Sequence, residues 1–323
     1  MKRLLCKLML PLLVVLATTE TVAQTYPSRP IRLVVPFTPG GSTDILARTV
    51  GQKMTEALGV QALIDNRPGA AGNLGAEIVA KAKPDGYTLL VATVGILAVN
   101  PALYATLPYD PVRNFSPVTL VAIVPNMLVV NSALPVRSVK ELIALAKARP
   151  GELKYGSSGA GGAPYLAVEY FKLMAGVDIR EIPYKGAAQL TTDLIAGETA
   201  LTITGIPALL AHVKAGRLRA LAVSSAKRSA AVPDLPTISE AGLPGYDVST
   251  WFGVVAPAGT ANDIVSRLDT VIGKGLRQPD VAERLAAEGA EAGSSTPEEF
   301  GAFIKAEIVR WAKVIKATGA EPL

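Results

Sequence analysis

The chain has 323 residues, half of them hydrophobic and 18% charged, with its 29 Gly and 24 Pro spread along the length. That balance excludes intrinsic disorder and collagen-like or low-complexity chains, which need lower hydrophobicity or clustered Gly and Pro. A single cysteine and a single histidine exclude a His/Cys metal cluster or a structural zinc, and a chain of this size favours two lobes over one core.

Met1-Lys2-Arg3 with Lys7 makes a basic start, Leu8 to Ala17 an apolar stretch too short to span a bilayer, and Thr21-Val22-Ala23 a small-residue cleavage site. Residues 1–23 are therefore expected to be a cleaved signal peptide, with Gln24 opening the mature chain. Cys6 lies too early, and without a small residue before it, to be a lipoprotein cysteine. Cleavage removes that cysteine, three basic residues and one acidic, and takes the formal charge from +5 to +3. A mature chain without cysteine needs no disulfide in an oxidising compartment, and the expected destination is the periplasm of a Gram-negative bacterium. With so small a charge and no basic run, nucleic acid is not an expected partner.

Ile31 to Phe37 is an apolar, β-rich run suited to a buried parallel strand. Pro39-Gly40-Gly41-Ser42 breaks it, and Thr43 to Leu58 has helical spacing, with Ser42 or Thr43 as N-cap and Gly59 as the stop. Ala62 to Asp65 reads as a strand, Gly75 to Lys83 as a helix closed by Pro84-Asp85-Gly86, and Tyr87 to Thr93 as a strand. Around Ile123 to Val130 two extended runs meet at Pro125-Asn126. Ser138-Val139-Lys140-Glu141 is a capping box for a helix to Ala148. Strand Leu153 to Ser157 passes through a Gly-rich loop into helix Ala163 to Ala175. Strand Ile179 to Pro183, helix Ala187 to Ala196, strand Ala200 to Thr204, helix Pro207 to Ala215 and strand Leu218 to Ser224 follow. Pro244-Gly245 precedes a return strand, Trp251 to Ala256, and the remainder is helical, its last helix opened by Thr296-Pro297-Glu298-Glu299. Its apolar stripe, Phe300, Phe303-Ile304, Ile308, Trp311 and Ile315, is a core face.

Two blocks of βαβ units, each opening with a strand, a Gly-rich loop and a helix, predict two similar α/β lobes. The chain crosses between them near Pro125-Asn126 and Pro244-Gly245. One lobe then comprises residues 24–125 with 246–323, the other residues 126–245. Each is expected to be a mainly parallel sheet flanked by helices.

The two Gly-rich loops, Phe37 to Asp44 and Gly156 to Ala163, join strand ends to helix starts. Free backbone N–H groups and the positive end of a helix dipole suit an anion there. Neither loop is a nucleotide fingerprint: no Lys-Ser/Thr follows the glycines, and Pro164 breaks the G-x-G-x-x-G spacing. Tight strand-to-helix turns also need glycine, but two such loops, one per lobe, point to a ligand cleft between them. Catalytic arrangements are poor. There is no G-x-S-x-G elbow, and any Ser–His pair would have to use His212, which reads as a helix-surface residue. Asp44 and Glu77 could pair, although an acid in the first turn of a helix is favoured by the dipole alone, and Asp44 could also accept from a ligand. Arg67 follows a strand within a turn. Lys185, in Pro183-Tyr184-Lys185-Gly186, could meet a carboxylate or be a solvated loop lysine. No cofactor and no metal are expected.

The ordered motifs resemble those of the substrate-binding proteins of tripartite tricarboxylate transporters, the Bug family. The carriers are Pro36-Phe37-x-Pro39-Gly40-Gly41-x-x-Asp44-x-x-Ala47-Arg48, Asn66-Arg67-Pro68-Gly69-Ala70, and Pro84-Asp85-Gly86-Tyr87-Thr88-Leu89. They continue with Tyr155-Gly156-Ser157, Pro183-Tyr184-Lys185-Gly186, Gly216-Arg217-Leu218-Arg219-Ala220-Leu221-Ala222 and Pro236-Thr237-x-x-Glu240-Ala241-Gly242. The resemblance implies a two-lobed periplasmic-binding-protein-like fold of type II that closes around a small carboxylate and delivers it to a membrane permease. It implies that Phe37, Pro39 and Asp44 frame the first loop, while Gly40, Gly41, Ser42 and Thr43 bind the carboxylate through backbone N–H groups and Thr93 lines the same lobe. Ser157, Gly159, Gly162, Ala163, Tyr165, Lys185 and Thr204 would face it from the other lobe.

Two positions depart from the family pattern. Tyr165 stands where members often have His, and Thr204 where they often have an acid. Without that acid an amino-acid ligand loses its partner, so an uncharged-tail or aromatic carboxylate, or a dicarboxylate, is expected; Tyr165 could stack on a ring or serve helix packing. An exported α/β enzyme of hydrolase type, or a ligand sensor on the same fold, is the alternative. A monomer is the default for a shuttling receptor.

Overall fold

The computed structural model describes residues 26–40, 42–157, 162–184, 187–287, 289–293 and 295–318. The expected signal peptide, Gly41, Gly159 and Lys185 lie outside the described residues.

The first parallel layer is β1 (Ile31–Val35), β2 (Ala62–Asn66) and β3 (Thr88–Thr93), linked by α1 (Ser42–Leu58) and α2 (Asn73–Ala80). Parallel pairing puts β1 between the other two, with Ile31 opposite Ala62 and Arg32 opposite Thr88. After β3 the chain winds through a π-helical turn, Gly95–Val99, into a short α3 (Asn100–Leu103). It then enters one long strand, β4 (Phe115–Asn131). The two runs expected around Pro125-Asn126 are thus one continuous strand.

The second layer is built from α4 (Val139–Ala148), β5 (Lys154–Ser157), α5 (Ala163–Ala175), β6 (Arg180–Pro183), α6 (Ala187–Ala196), β7 (Leu201–Gly205), α7 (Ile206–Lys214) and β8 (Leu218–Val223). The chain returns as β9 (Ser249–Pro257) and ends with α8 (Asn262–Leu276), α9 (Pro279–Ala287), a two-residue β10 (Glu291–Ala292) and α10 (Pro297–Thr318). Both expected N-caps form, although Glu141 reaches back to the Arg137 N–H and not to that of Ser138. Ser138 Oγ accepts from the Glu141 N–H at 3.2 Å, and Thr296 and Glu299 bond each other's backbone N–H groups.

Strand directions explain the architecture. β5 pairs in parallel with β6 and β7, as β1 does with β2 and β3. The crossing strands run against this grain: β9 is antiparallel to β3 and β4, and β4 to β7 and β8. Parallel pairing therefore holds on the outer side of each sheet, while the strands that join the sheets make them mixed. Along β4, Pro125 is the last residue registered with β9, opposite Ser249, and Asn126 the first registered with β7, opposite Gly205. The return lies one step away. The Val248 N–H donates to the Ser224 carbonyl at the end of β8, and Ser249 already pairs with Pro125.

One core lies on the face of both sheets covered by α5 and α10, where Phe171, Tyr246, Trp251, Phe300 and Trp311 are buried. A second fills the space between the first sheet, α1 and α8, and a third lies beneath α6 and α7. Among the described residues no helix is long and apolar enough to cross a membrane.

Candidate functional site

Register alone locates the candidate cleft. β1, β2 and β3 run in the direction of the first half of β4, so their carboxyl ends point toward Pro125. β5, β7 and β8 run against its second half, so theirs point back toward Asn126. Thr93, the last residue of β3, lies across β9 from Ala122, and Gly205, the last of β7, lies beside Asn126. Four strand residues, about 13 Å, separate the two levels. Crevices outside the carboxyl ends of strands, where the topology switches, are where open α/β sheets bind ligands.

On the first side, three segments meet beyond the strand ends. Phe37 is half-buried against the core that also holds Ile96, and Pro39, Gly40 and Ser42 are exposed. Asp44 is buried, and its carboxylate ties the loop together. One oxygen accepts from the Gly40 N–H at 3.0 Å and from Arg48 Nε at 2.9 Å, the other from Asn66 Nδ2 at 3.0 Å. The same Asn66 amide donates to the Phe37 carbonyl at 3.1 Å. Burial pushes the Asp44 carboxyl up, but the bonds from Arg48, Gly40 and Asn66 outweigh it and hold the group below the ordinary aspartate value.

Two expectations change here. The Gly40 N–H is engaged by Asp44 and does not stand open to an anion. Asp44 in turn holds the loop and is not an open acceptor, nor is it paired with Glu77, whose partner is Lys81 at 2.5 Å. The amide donors left at the helix start belong to the first turn of α1, at Ser42 and Thr43, where no intrahelical acceptor exists. Arg67 is also accounted for, since its Nε reaches both oxygens of Asp65, which binds Arg32 as well.

The neighbouring turn carries backbone strain. Ala70 and Ala71 have φ of 46° and 52°, a region that disfavours residues with a Cβ. Gly72 follows at φ 90°, and a Cβ there would come within 2.7 Å of Ile96 Cδ1 and 3.3 Å of the Phe37 ring. A buried network behind it fixes the arrangement. Asn100 Nδ2 donates to Asn73 Oδ1 at 2.6 Å, and the Tyr109 hydroxyl reaches the same oxygen at 2.8 Å. Sequence reading missed this network; an Asn-Pro pair after an apolar run was its only signal. Thr93, buried at the end of β3, completes this side.

On the second side, Ser157 ends β5 fully buried, and its hydroxyl donates to Glu181 on the adjacent β6. Behind it the Tyr155 hydroxyl donates to Glu169 at 2.6 Å, and Lys172 reaches the same oxygen at 2.6 Å. Burial, then Glu169, pushes the Tyr155 hydroxyl far above its ordinary value, so it remains a donor. Gly162 is the N-cap of α5, with no side-chain cap, and Ala163 begins the helix. Tyr165 is half-buried and packs against the core. Thr204 registers with Met127, and strand alternation puts both on the α7 face, away from Ser157. The acid near this end is therefore Glu181, which sequence reading did not single out. His212 sits half-buried in the last turn of α7, remote from the strand ends.

A cavity of about 600 Å³ lies elsewhere. It is a groove between Phe115, Val265 and Ile304, at the amino end of β4, and it meets none of these segments. Among the described residues no group of three or more His, Cys, Asp or Glu is placed to hold a metal ion.

Comparison with known proteins adds a second line of evidence. A family model described as the tripartite tricarboxylate transporter family receptor matches residues 46–320. Protein BugT of Bordetella pertussis is 42% identical over 300 residues, covering 93% of this chain and 92% of BugT. Among solved structures, R. palustris Rpa4515, determined with adipate, is 46% identical with a TM-score of 0.82, over 92% of this chain and 100% of its own. MatC from Rhodopseudomonas palustris, with bound malate, is 32% identical with a TM-score of 0.77, over 90% of this chain and 100% of its own.

Proposed function

The chain belongs to the tripartite tricarboxylate transporter family of receptors, which are periplasmic solute-binding proteins and not enzymes, and from that membership we propose that it captures a small carboxylate between two lobes and hands it to a membrane permease. Residues 1–23 would direct export and be removed. We take residues 24–125 with 246–323 as one lobe and 126–245 as the other. All pairing within the first sheet falls in the former and all pairing within the second in the latter, which supports this division.

The observation that carries the reading is the convergence of two strand ends, each followed by a helix, on one crossing, the first loop held by a buried carboxylate at the start of α1. In this reading the Ser42 and Thr43 amides, with Gly41, hold the carboxylate and Asp44 positions them. Phe37, Pro39, Gly40 and Thr93 shape the wall. Ser157, Gly159, Gly162, Ala163 and Tyr165 face it from the second lobe, Lys185 supplies a countercharge, and Thr204, on the opposite face of its strand, is left out of the set. Charge-assisted hydrogen bonds contribute roughly 1.5–3 kcal/mol each, and a few of them reach the ~8 kcal/mol of a micromolar complex.

The bound adipate and malate of two relatives support a dicarboxylate as the class to try first. The test is a thermal-shift screen of refolded residues 24–323 against mono-, di- and tricarboxylic, aromatic and amino acids. A ligand at 100 times its dissociation constant should add about 2.7 kcal/mol of stability. A shift confined to one chemical class identifies the solute class. No shift from any carboxylate rejects the reading.

A further inference from the structure

Asn126 occupies the point where β4 leaves one sheet and enters the other. Asparagine is a poor strand former, and it follows a proline, which removes a ladder donor in the middle of a 17-residue strand. Two locally unfavourable residues at the centre of the longest strand call for a compensating role.

The backbone of Asn126 is fully engaged. Its N–H donates to Ser224 Oγ at 3.0 Å and its carbonyl accepts from the Ser224 N–H at 2.8 Å. The side chain differs. The residue is 2% exposed, yet its Nδ2 is a buried donor with no hydrogen-bond partner among the described residues. Native proteins rarely leave such a group unpaired, and one that persists asks for an explanation.

Strand alternation gives its direction. The β4–β7 register is unbroken from Asn126 opposite Gly205 to Val130 opposite Leu201. Leu128 and Val130 pack into the core beneath α5, whereas Met127 and Val129 pack beneath α7. Asn126 therefore stands on the α5 face, one step nearer the crossing than Leu128. Tyr155 is in that same core, so Ser157, two residues on, shares the face at the end of β5. The N-cap of α5 is Gly162, which has no side chain to cap the helix.

We propose that Asn126 is a ligand-binding residue, whose side-chain amide donates a hydrogen bond to the captured carboxylate from the strand that joins the two lobes. The proposal rests on the carboxylate-receptor reading above and deepens it. It adds a donor at the floor of the cleft, on the one element belonging to both lobes. A ligand held there touches the joint as well as the two walls, so its affinity depends on the angle at which β4 crosses.

The test is titration calorimetry of refolded residues 24–323 with adipate, malate, citrate, benzoate and glutamate. The wild type is compared with Asn126→Ala and the near-isosteric Asn126→Asp, and ligand-free melting is recorded for each. Loss of a donor to a charged acceptor predicts affinity about 10- to 100-fold weaker in Asn126→Ala. Asn126→Asp should lose more at pH 7.5, because it sets a carboxylate against a carboxylate. The ligand-free melting temperature of Asn126→Ala should stay level or rise, since no intramolecular bond of Nδ2 is removed. Affinities within twofold of wild type in both variants would overturn the proposal while leaving the receptor reading intact. A melting temperature lowered by more than about 5 °C with affinity unchanged would mark Asn126 as purely structural and overturn it too. If the wild type binds none of the five acids, the receptor reading fails and this inference falls with it.

Discussion

At the end of β1 the acid that shapes the loop stands on the following helix and is buried. At the end of β5 the acid stands on the neighbouring strand and is half-exposed. Asp44 gathers three donors, from Gly40, Asn66 and Arg48, whereas Glu181 takes the hydroxyl of Ser157. The first loop depends on an ionised group held inside the protein. The second hangs on a neutral hydroxyl at a strand end. In the proposed reading, one side of the cleft is a rigid anion receptor whose shape is sensitive to acid. The other is a surface that can be altered residue by residue at little structural cost, which suits recognition of the variable part of a ligand.

Removing the carboxylate from the first side breaks the comparison most directly. Asp44→Ala removes the acceptor of the Gly40 N–H and of Arg48 and leaves the Asn66 amide only its bond to the Phe37 carbonyl, and should cost about 3 kcal/mol in stability, read by urea unfolding. Adipate affinity should fall more than about 100-fold as the α1 amides lose their aim. Acid sharpens the same point. The folded Asp44 carboxyl lies below its ordinary value near 4, so its contribution is complete above that value and lost as the pH falls through the lowered one. Asp44→Asn should flatten the fall of melting temperature between about pH 5 and 2. Asp65, held down by Arg32 and Arg67 against its burial, keeps part of that slope. An unaltered slope would show that Asp44 is not the acid-sensitive anchor.

The second-largest effect belongs to the turn behind this anchor. Gly72→Ala places a Cβ at φ 90° within 2.7 Å of Ile96 Cδ1. Strain and overpacking together should cost about 2–3 kcal/mol in thermal unfolding. A neutral outcome would mean that the turn relaxes freely and that the first side is no more rigid than the second.

How much of this was legible in the sequence depends on the range of the interaction. The bounds of α5 and α6 were readable because Gly176 and Gly197 punctuate their ends and Pro164 marks an N-terminal turn. The N-caps at Ser138 and Thr296 are likewise local. The π-helical turn was not readable, because Ile96 to Val99 are apolar with no polar residue among them to set a period. β10 is too short to signal at all. The candidate loops were visible through their glycines, but the role of Asp44 was not. That role rests on Asn66, 22 positions away, which only the parallel pairing of β1 and β2 brings beside it. Glu181 and Asn126 escaped for the same reason, since their meaning comes from neighbours on other strands.

On the second side the expected loss is smaller. Ser157→Ala removes one neutral hydroxyl and leaves a half-exposed acid that water can solvate. Stability should drop by about 1 kcal/mol and adipate affinity by about tenfold or less, measured by calorimetry. A loss as large as that of Asp44→Ala would equalise the two sides and remove the distinction between a fixed receptor and an adjustable wall.

The smallest effect is the most exacting check on the first side, because it concerns a cation at its rim. Arg67 follows Asn66 directly and would be the natural countercharge for an anion if it faced the cleft. Its side chain is 51% exposed and its guanidinium is paired with Asp65, which retains Arg32 if Arg67 is lost. Exposed pairs of this kind are worth about 0–1 kcal/mol. Arg67→Ala should therefore change stability by less than about 0.5 kcal/mol and adipate affinity by less than about twofold, with little dependence on salt. If affinity instead fell tenfold and the loss shrank at high salt, the first side would be drawing its anion through a side-chain charge. The backbone amides held in place by Asp44 would then no longer account for recognition there.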